Sequence, residues 1–190
     1  YCAGSLRLAA PMLRMIDRIE GWWPQGGRAG LGAVRAVKDI DPGEWFFRAH
    51  FYQDPVQPGS LGLEAMLQTL EYALLQILGD RDASALRFEV LASGQPHRWK
   101  YRGQVLPHHR QVHTTLELTA LDDTGTQLLA HADASLWVDG LRIYEANGLA
   151  IRVRPMLFGT LVHQTIEDIH KAVLRGVENT LTLDAIDGWF

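Results

Sequence analysis

The chain has 190 residues, of which 47% are hydrophobic, enough for one packed domain or for one domain with an appendage. Its formal charge of -4 excludes the basic surface expected of a general nucleic-acid binder. No run approaches the roughly 20 apolar residues that cross a bilayer, and the start lacks a signal-peptide pattern. The single cysteine, Cys2, cannot form an internal disulfide, so we expect a cytoplasmic protein. The chain begins at Tyr1 rather than Met, which fits a domain cut from a longer polypeptide.

Three extended segments are predicted in the first part of the chain, at residues 12–20, 31–40 and 45–51. The turn Gly26-Gly27 separates the first two, and a turn at residues 41–43 precedes the third. Two prolines within residues 54–59 then exclude a regular helix. This stretch is therefore predicted to be a defined loop.

A long helix is predicted after this loop. Ser60 is a residue type favoured at helix N-caps, and Gly79 supplies a C-terminal stop. Apolar residues repeat at helical spacing between them, at Leu63, Met66, Leu67, Leu70, Leu74 and Ile77. The other faces are also mostly apolar, so we expect protein to surround this helix as the core of the fold.

Five further strands are predicted, at residues 86–92, 99–105, 111–121, 127–138 and 141–154. Asp139-Gly140 is a strong signal for a two-residue hairpin. Together, the predicted strands and the long helix indicate an α+β fold in which an antiparallel sheet surrounds one helix. Residues 1–155 would form this domain. Residues 156–190 carry an apolar stripe that predicts an accessory helix, as an extension or a linker.

The most informative pattern lies in residues 50–66, where a histidine precedes the rigid loop and a carboxylate follows one turn into the helix. His50 can accept a proton near neutral pH, and Glu64 lies among apolar neighbours that can keep a carboxyl group protonated as an acid. Gly59 and Ser60 stand at the helix start, where backbone N–H groups and the helix dipole can polarise a carbonyl oxygen. His50 and Glu64 are therefore the candidate catalytic residues, and Gly59 and Ser60 the candidate substrate-binding residues. From the residue pattern alone, a structural histidine and a carboxylate paired with an arginine remain the alternatives.

This segment closely resembles the motif H-F-x-x-D-P-V-x-P-G-x-L-G-L-D-A-M of the FabA-like 3-hydroxyacyl-acyl-carrier-protein dehydratases. Other matching blocks occur in the family's order, so the resemblance covers about residues 10–155. These blocks are Pro11-Met12-Leu13, Asp17-Arg18, Trp45-Phe46-Phe47, Gly103-Gln104-Val105-Leu106-Pro107 and Val138-Asp139-Gly140 with Ile143-Tyr144. The pattern also resembles the dehydratase domains of polyunsaturated fatty acid and polyketide synthases.

The resemblance implies a hotdog fold whose units pair, either as a homodimer or with a second hotdog domain, and share their active sites. It implies that His50 removes the C2 proton of a 3-hydroxyacyl thioester, that Glu64 protonates the departing C3 hydroxyl, and that the Gly59 N–H holds the thioester oxygen. The product would be a trans-2-enoyl thioester. An acyl carrier protein would bring the substrate on its phosphopantetheine arm, and neither a metal nor another cofactor is implied.

Two departures from the motif bear on activity. The FabA-like motif has aspartate at the position of Glu64, whereas the related FabZ-like dehydratases have glutamate there, which leaves isomerisation to a 3-enoyl product open. Ser60 replaces the family's usual cysteine, at a position that need not be catalytic. Two other functions also remain as alternatives: a non-catalytic hotdog domain that serves as a structural partner in a synthase, and a hotdog thioesterase.

Two further groups of side chains have open interpretations. Arg98, Lys100 and Arg102 alternate along a predicted strand, where they either receive an acidic carrier protein or form an ordinary solvated face. A second group of histidines, His108, His109 and His113, has no cysteine or acidic ligand at a known metal-site spacing. We expect these histidines to be solvated or to lie on an edge strand.

Overall fold

A computed structural model describes residues 6–79, 81 and 86–155 of the chain. A short 3-10 turn, Pro11–Leu13, comes first. The helices and strands then follow in the order β1 Arg18–Trp23, β2 Ala33–Asp39, α1 Trp45–Ala49, α2 Gly59–Leu78, β3 Leu86–Val90, β4 Arg98–Tyr101, β5 Gln111–Asp123, β6 Leu128–Val138 and β7 Leu141–Pro155. The predicted C-terminal accessory helix falls within residues 156–190, outside the described residues.

The strands form one sheet in the order β1-β2-β5-β6-β7-β3, and β4 also pairs with β7. The pairs β1/β2, β2/β5, β5/β6, β6/β7 and β4/β7 are antiparallel. Buried and half-buried residues alternate along the whole of β6, as expected of a strand with one face on the core. Helix α2 packs against β2, β5 and β6. The predicted antiparallel sheet around one long helix is thus confirmed.

Helix α2 is the core element that the apolar pattern predicts. Most of its side chains are buried, and Gly79 caps its end with a positive φ of 54°, a backbone conformation that glycine adopts without strain. The predicted N-cap is wrong by two residues, because Pro58 takes that position and Ser60 lies exposed in the first turn. No side chain caps the helix start. A proline at this point ends the loop and directs the chain into the helix.

The prediction of an extended segment at residues 45–51 is wrong, since Trp45–Ala49 forms the short helix α1. Phe46 and Phe47 are adjacent in sequence and both buried. Successive side chains of a strand point to opposite faces, whereas a helical turn lets two adjacent residues reach the same core. The need to bury both phenylalanine rings therefore favours helix over strand here.

The first predicted strand is only partly correct, because β1 begins at Arg18 and residues 14–17 are not in a strand. The Asp17 N–H already bonds to the Val37 carbonyl of β2 at 2.8 Å, but the backbone before it bonds to a side chain of α2. The Met15 N–H donates to Gln68 Oε1 at 2.8 Å, and the Leu13 carbonyl accepts from Gln68 Nε2 at 2.7 Å. A buried side chain thus satisfies backbone groups that a strand partner would otherwise satisfy.

The five later strands are present close to their predicted positions, although β4 ends at Tyr101, four residues earlier than predicted. The Asp139-Gly140 hairpin is confirmed, with positive φ angles of 46° and 89° at its two residues. That combination is typical of the type I′ turn that joins twisted antiparallel strands. No helix among the described residues is long and apolar enough to cross a membrane.

Candidate active site

The loop that holds His50 is closed by backbone hydrogen bonds. His50 caps the end of α1, where its N–H donates to the Phe46 carbonyl at 3.0 Å. Its own carbonyl accepts from the Val56 N–H at 2.9 Å, and Phe51 and Asp54 exchange two further hydrogen bonds within the loop. The chain therefore leaves α1, turns tightly and returns to His50 before it enters α2.

The His50 imidazole is oriented by the same loop. Its Nδ1 lies 3.2 Å from the Val56 carbonyl oxygen. A carbonyl oxygen can only accept, so Nδ1 carries the proton of this hydrogen bond and the neutral ring keeps the lone pair on Nε2. The Phe51 ring lies against the imidazole, with 3.7 Å between the ring centroids. His50 is thus held in a tautomer that can accept a proton at Nε2.

Glu64 lies in the second turn of α2, where Gln68 holds its carboxylate. Gln68 Nε2 donates to Glu64 Oε1 at 2.8 Å from one turn farther along the helix. Gln68 itself is fully buried, and its amide also bonds to the backbone of Leu13 and Met15. The Glu64 carboxylate is therefore connected through one amide to the segment before β1.

Sequence reasoning missed Gln68 as a functional residue, although the sequence contains a signal for it. A glutamine four residues after Glu64 lies on the same side of the helix and stands among buried apolar positions. A buried polar side chain needs hydrogen-bond partners. Its position next to a candidate catalytic carboxylate marks it as a positioning residue.

A second carboxyl group, Glu71, lies farther along the same side of α2 and was also missed. It is 7% exposed. Burial, and to a lesser degree the negative charge of Glu64, raises the pKa of Glu71 to about 8. Glu71 is therefore mostly protonated at neutral pH, and α2 carries two carboxyl groups in different environments.

The start of α2 holds the residues predicted to bind substrate. The Gly59 N–H belongs to the first helical turn, whose N–H groups have no partner within the helix. The Gln57 N–H donates to the Val105 carbonyl at 3.0 Å, which ties the preceding loop to the chain after β4. Ser60 is exposed at this turn. The helix start thus carries backbone N–H groups on a segment that is anchored to the chain after β4.

Aromatic rings cover this first turn closely. A Cβ atom at Gly59 would lie 2.7 Å from Tyr101 Cε2, and one at Gly62 would lie 2.0 Å from Tyr144 Cε2. The Tyr101 and Tyr144 rings stack with centroids 4.8 Å apart, and Trp99 meets Tyr144 edge to face at 5.9 Å. Only glycine leaves room for these rings at the two helix positions. We call Trp99, Tyr101 and Tyr144 the aromatic cluster.

The described part of the chain does not join the two predicted catalytic residues directly. His50 bonds to Val56 and Glu64 bonds to Gln68, and no hydrogen bond links His50 to Glu64 within that part. A cavity of about 550 Å³ lies instead between Tyr72 and the segment from Arg7 to Ile19. Another, of about 500 Å³, lies over β2, β5, β6 and β7. Neither of these two cavities is lined by His50 or Glu64.

The basic side chains of β4 lie on the face opposite the aromatic cluster. Arg98 and Lys100 alternate with Trp99 and Tyr101 along the strand, and Lys100 Nζ lies 3.7 Å from Glu145 Oε2. Arg102 follows the end of the strand. The predicted alternation therefore holds for two of the three basic residues.

The histidines after β4 are bound locally. The Leu106 N–H donates to His109 Nδ1 at 2.9 Å, and His113 Nδ1 lies 3.0 Å from Arg35 Nη2. Burial lowers the pKa of both His109 and His113. In residues 6–79, 81 and 86–155, no group of three or more His, Cys, Asp or Glu side chains is arranged to hold a metal ion.

The chain belongs to the family of FabA-like domains, whose family model matches residues 8–147. This match includes the His50 loop, the whole of α2 and the aromatic cluster. Over 142 residues the chain is 37% identical to one of the subunits of the polyunsaturated fatty acid synthase from Thraustochytrium sp.. That alignment covers 74% of this chain and 9% of the relative, so the chain spans about a tenth of that protein's length.

Solved structures are similar in fold. The dehydratase heterocomplex ApeI:P from Xenorhabdus doucetiae matches with a TM-score of 0.54 and 9% identity, over 82% of this chain and 91% of that chain. A mutant thioesterase from Pseudomonas aeruginosa matches with a TM-score of 0.47 and 16% identity, over 73% of this chain and 81% of that chain. The first of these matches, together with the curled sheet around α2, confirms the predicted hotdog fold for the described residues.

Proposed function

We propose that this chain is a dehydratase domain that removes water from a 3-hydroxyacyl thioester. The observation that carries the proposal is the orientation of His50 within a FabA-like domain, since the Val56 carbonyl fixes Nδ1 as the donor and leaves Nε2 able to accept a proton. Glu64, held by Gln68, supplies the acid. The names of the fatty acid synthase relative and of the dehydratase heterocomplex agree with this function.

His50 and Glu64 transfer protons in opposite directions: His50 accepts a proton from the substrate, and Glu64 donates one to it. His50 Nε2 takes the proton from C2, and the electrons of that C–H bond form the C2=C3 double bond. The C3–O bond breaks as Glu64 gives its proton to the departing hydroxyl, which leaves as water. The Gly59 N–H stabilises negative charge on the thioester oxygen during this step. The product is a trans-2-enoyl thioester, and the two protonation states are then restored by exchange with solvent.

A complete site requires a second hotdog unit in this proposal. The His50 ring and the Glu64 carboxylate are held by separate partners, and β3 lies at one end of the sheet, where another unit could extend it. The pairing would bring His50 of one unit to Glu64 of the other. Either a homodimer or a second hotdog domain of a longer synthase satisfies this requirement.

An acyl carrier protein is the proposed source of the substrate. Its phosphopantetheine arm would bring the thioester to the start of α2, and no cofactor resident in this chain is needed for an elimination of this type. Arg98 and Arg102 lie exposed near β4 and offer positive charge to an acidic partner. Lys100 contributes less, because Glu145 neutralises part of its charge.

The decisive experiment incubates the 190-residue chain with a 3-hydroxyacyl thioester on a carrier protein and follows the loss of water by mass spectrometry. We expect His50→Ala and Glu64→Gln to abolish the wild-type activity. His97→Ala, which changes an exposed histidine, is the matched control and should retain it. The product also separates the alternatives, because a free carrier thiol would indicate a thioesterase and a 3-enoyl product an added isomerase activity.

Mixing the two inactive variants tests the shared site. If each site combines His50 of one unit with Glu64 of the other, a mixed dimer has one intact site, and about a quarter of the wild-type activity should return at equal mixing. No recovery after demonstrated exchange of protomers would contradict a shared homodimeric site. An inactive wild type that is folded and paired would instead favour the structural-partner function.

A further inference from the structure

The aromatic cluster contains two buried polar atoms that have no hydrogen-bond partner among the described residues. These atoms are the Tyr144 hydroxyl oxygen and the Trp99 indole nitrogen. Tyr144 is 1% exposed, so its hydroxyl has no contact with bulk water to compensate. Buried polar groups in native proteins are nearly always satisfied, and an exception calls for an explanation.

The neighbouring Tyr101 does not supply the missing bond. Its ring stacks on Tyr144, and its phenol adds to the effect of burial in raising the pKa of Tyr144, but the two hydroxyls do not reach an acceptable hydrogen-bond geometry. Tyr144 therefore remains a phenol at physiological pH and can donate one hydrogen bond. The Trp99 indole can only donate.

The position of Tyr144 connects this donor to the helix start. The edge of its ring lies so close to Gly62 that a Cβ atom there would be 2.0 Å from Tyr144 Cε2. Gly62 follows Gly59 by three residues, which places both on one side of the first helical turn. Tyr101 covers Gly59 and is 45% exposed, so it separates the buried Tyr144 from solvent at this turn.

We propose that Tyr144 is a substrate-binding residue, whose hydroxyl donates a hydrogen bond to the carbonyl oxygen of the acyl thioester at the first turn of α2. Two unpartnered donors call for an acceptor atom, and the carbonyl oxygen is the acceptor on which negative charge develops as the C2 proton leaves. Displacement of the exposed Tyr101 ring would open the way to Tyr144. This inference rests on the proposed function.

Tyr144→Phe removes only the hydroxyl and keeps the ring that packs on Gly62. We expect kcat/KM for a 3-hydroxyacyl N-acetylcysteamine thioester to fall on the order of 10- to 100-fold. The midpoint of thermal unfolding should stay the same or rise, because the substitution removes a buried polar group that has no partner in the free protein. Tyr72→Phe is the matched control, since Tyr72 is a half-buried tyrosine of α2 outside the cluster, and it should leave kcat/KM unchanged.

A substrate analogue tests whether the thioester carbonyl oxygen is the atom that accepts the hydrogen bond of Tyr144. In the thioether analogue a CH₂ group replaces the thioester carbonyl, and its binding by wild type and Tyr144→Phe can be compared by calorimetry without turnover. We expect the variant to bind an acyl thioester that lacks the 3-hydroxyl, and so cannot lose water, more weakly than wild type does, but to bind the matching thioether equally well. Equal weakening for both ligands would overturn the assignment to the carbonyl oxygen.

Other outcomes separate this inference from the proposed function. A wild type that dehydrates the substrate, with a variant that does so equally well, overturns the role of Tyr144 and leaves the function standing. A lower unfolding midpoint with unchanged kcat/KM shows a structural hydroxyl and also overturns it. A wild type that neither turns over nor binds the thioester overturns both.

Discussion

The side-chain amide of Gln68 donates a 2.8 Å hydrogen bond to the Glu64 carboxylate and bonds at the same time to the backbone of Leu13 and Met15. One buried amide therefore positions a candidate catalytic group and anchors the segment before β1. A change at this residue should affect both activity and stability, whereas a residue with only one of these roles would affect one of them.

Gln68→Leu should lower kcat at least tenfold and reduce the free energy of unfolding by about 1 to 3 kcal/mol, because the Met15 N–H and the Leu13 carbonyl lose their partner in the core. Enzyme assay and urea unfolding check the two effects. Gln76→Leu, an exposed change on the same helix, is the control and should do neither. Normal kcat in a destabilised Gln68→Leu protein would show that the amide does not position Glu64.

Glu71 should make stability depend on pH. Its pKa rises from 4.5 to about 8 on folding, so the folded state binds the proton more tightly than the unfolded state does. The resulting stability is fully present below the unfolded value and is lost as pH rises through about 8, by at most about 1.4 kcal/mol per pH unit. Glu71→Gln should flatten this decline in urea unfolding measured from pH 5 to 9.

The control for Glu71 is a carboxylate with the opposite shift. The Ser93 backbone N–H, and then Arg152, lower the pKa of Glu89. Glu89→Gln should therefore reduce stability at neutral pH and leave the decline at higher pH in place. An unchanged pH profile in Glu71→Gln would mean that Glu71 is already ionised in the folded protein at neutral pH.

Lys38 should be sensitive to loss of its acidic partner. Its side chain is almost fully buried, and its Nζ lies 2.7 Å from Glu44 Oε1 and 3.7 Å from Asp17 Oδ1. Glu44→Gln should lower the free energy of unfolding by about 1 to 3 kcal/mol, because the buried Lys38 loses its nearest partner and keeps only the more distant Asp17. Glu145→Gln, which breaks the half-exposed pair with Lys100, should change it by about 0.5 kcal/mol or less. Equal losses in both variants would contradict this difference in burial.

Gly62→Ala should destabilise the protein, although alanine is the better helix former by about 1 kcal/mol. The added Cβ would lie 2.0 Å from a carbon of the fully buried Tyr144, and such overpacking costs about 1 to 3 kcal/mol. Gly59→Ala should cost less, since the contacting Tyr101 ring is half-exposed and can shift. Thermal unfolding of both variants measures the difference, and a stabilised Gly62→Ala would show that Tyr144 can move.

The sequence predicts the central helix and most strands because their signals are local. Helical spacing identifies α2, and Asp139-Gly140 identifies a turn whose backbone conformation those residue types favour. The segments at residues 12–17 and 45–49 could not be predicted in this way. Their conformations depend on Gln68 and on the burial of two adjacent phenylalanines, which are contacts between distant parts of the chain.

The candidate site likewise contains features that the sequence indicates and features that depend on the folded structure. His50, Glu64 and Gly59 are indicated by residue type and order within one short segment. The tautomer of His50 depends on where the Val56 carbonyl lies, and the isolation of Tyr144 depends on how β4 and β7 meet α2. Those relationships arise from folding and have no signature in the sequence of the individual residues.

Helix α2 carries both Gly59 and Glu64, and this fixes how far apart they stand along the helix axis. Five residues at the usual rise correspond to about 7.5 Å. In a site that takes Gly59 and Glu64 from the same unit, the helix sets the distance between the oxyanion donor and the acid, whatever the arrangement of the two units. His50 is carried by a loop after α1. If the two units shift relative to one another, the His50 of one unit therefore moves relative to the Gly59 and Glu64 of the other, whose separation does not change. Pairing geometry would then tune where the proton is taken without altering where the hydroxyl departs.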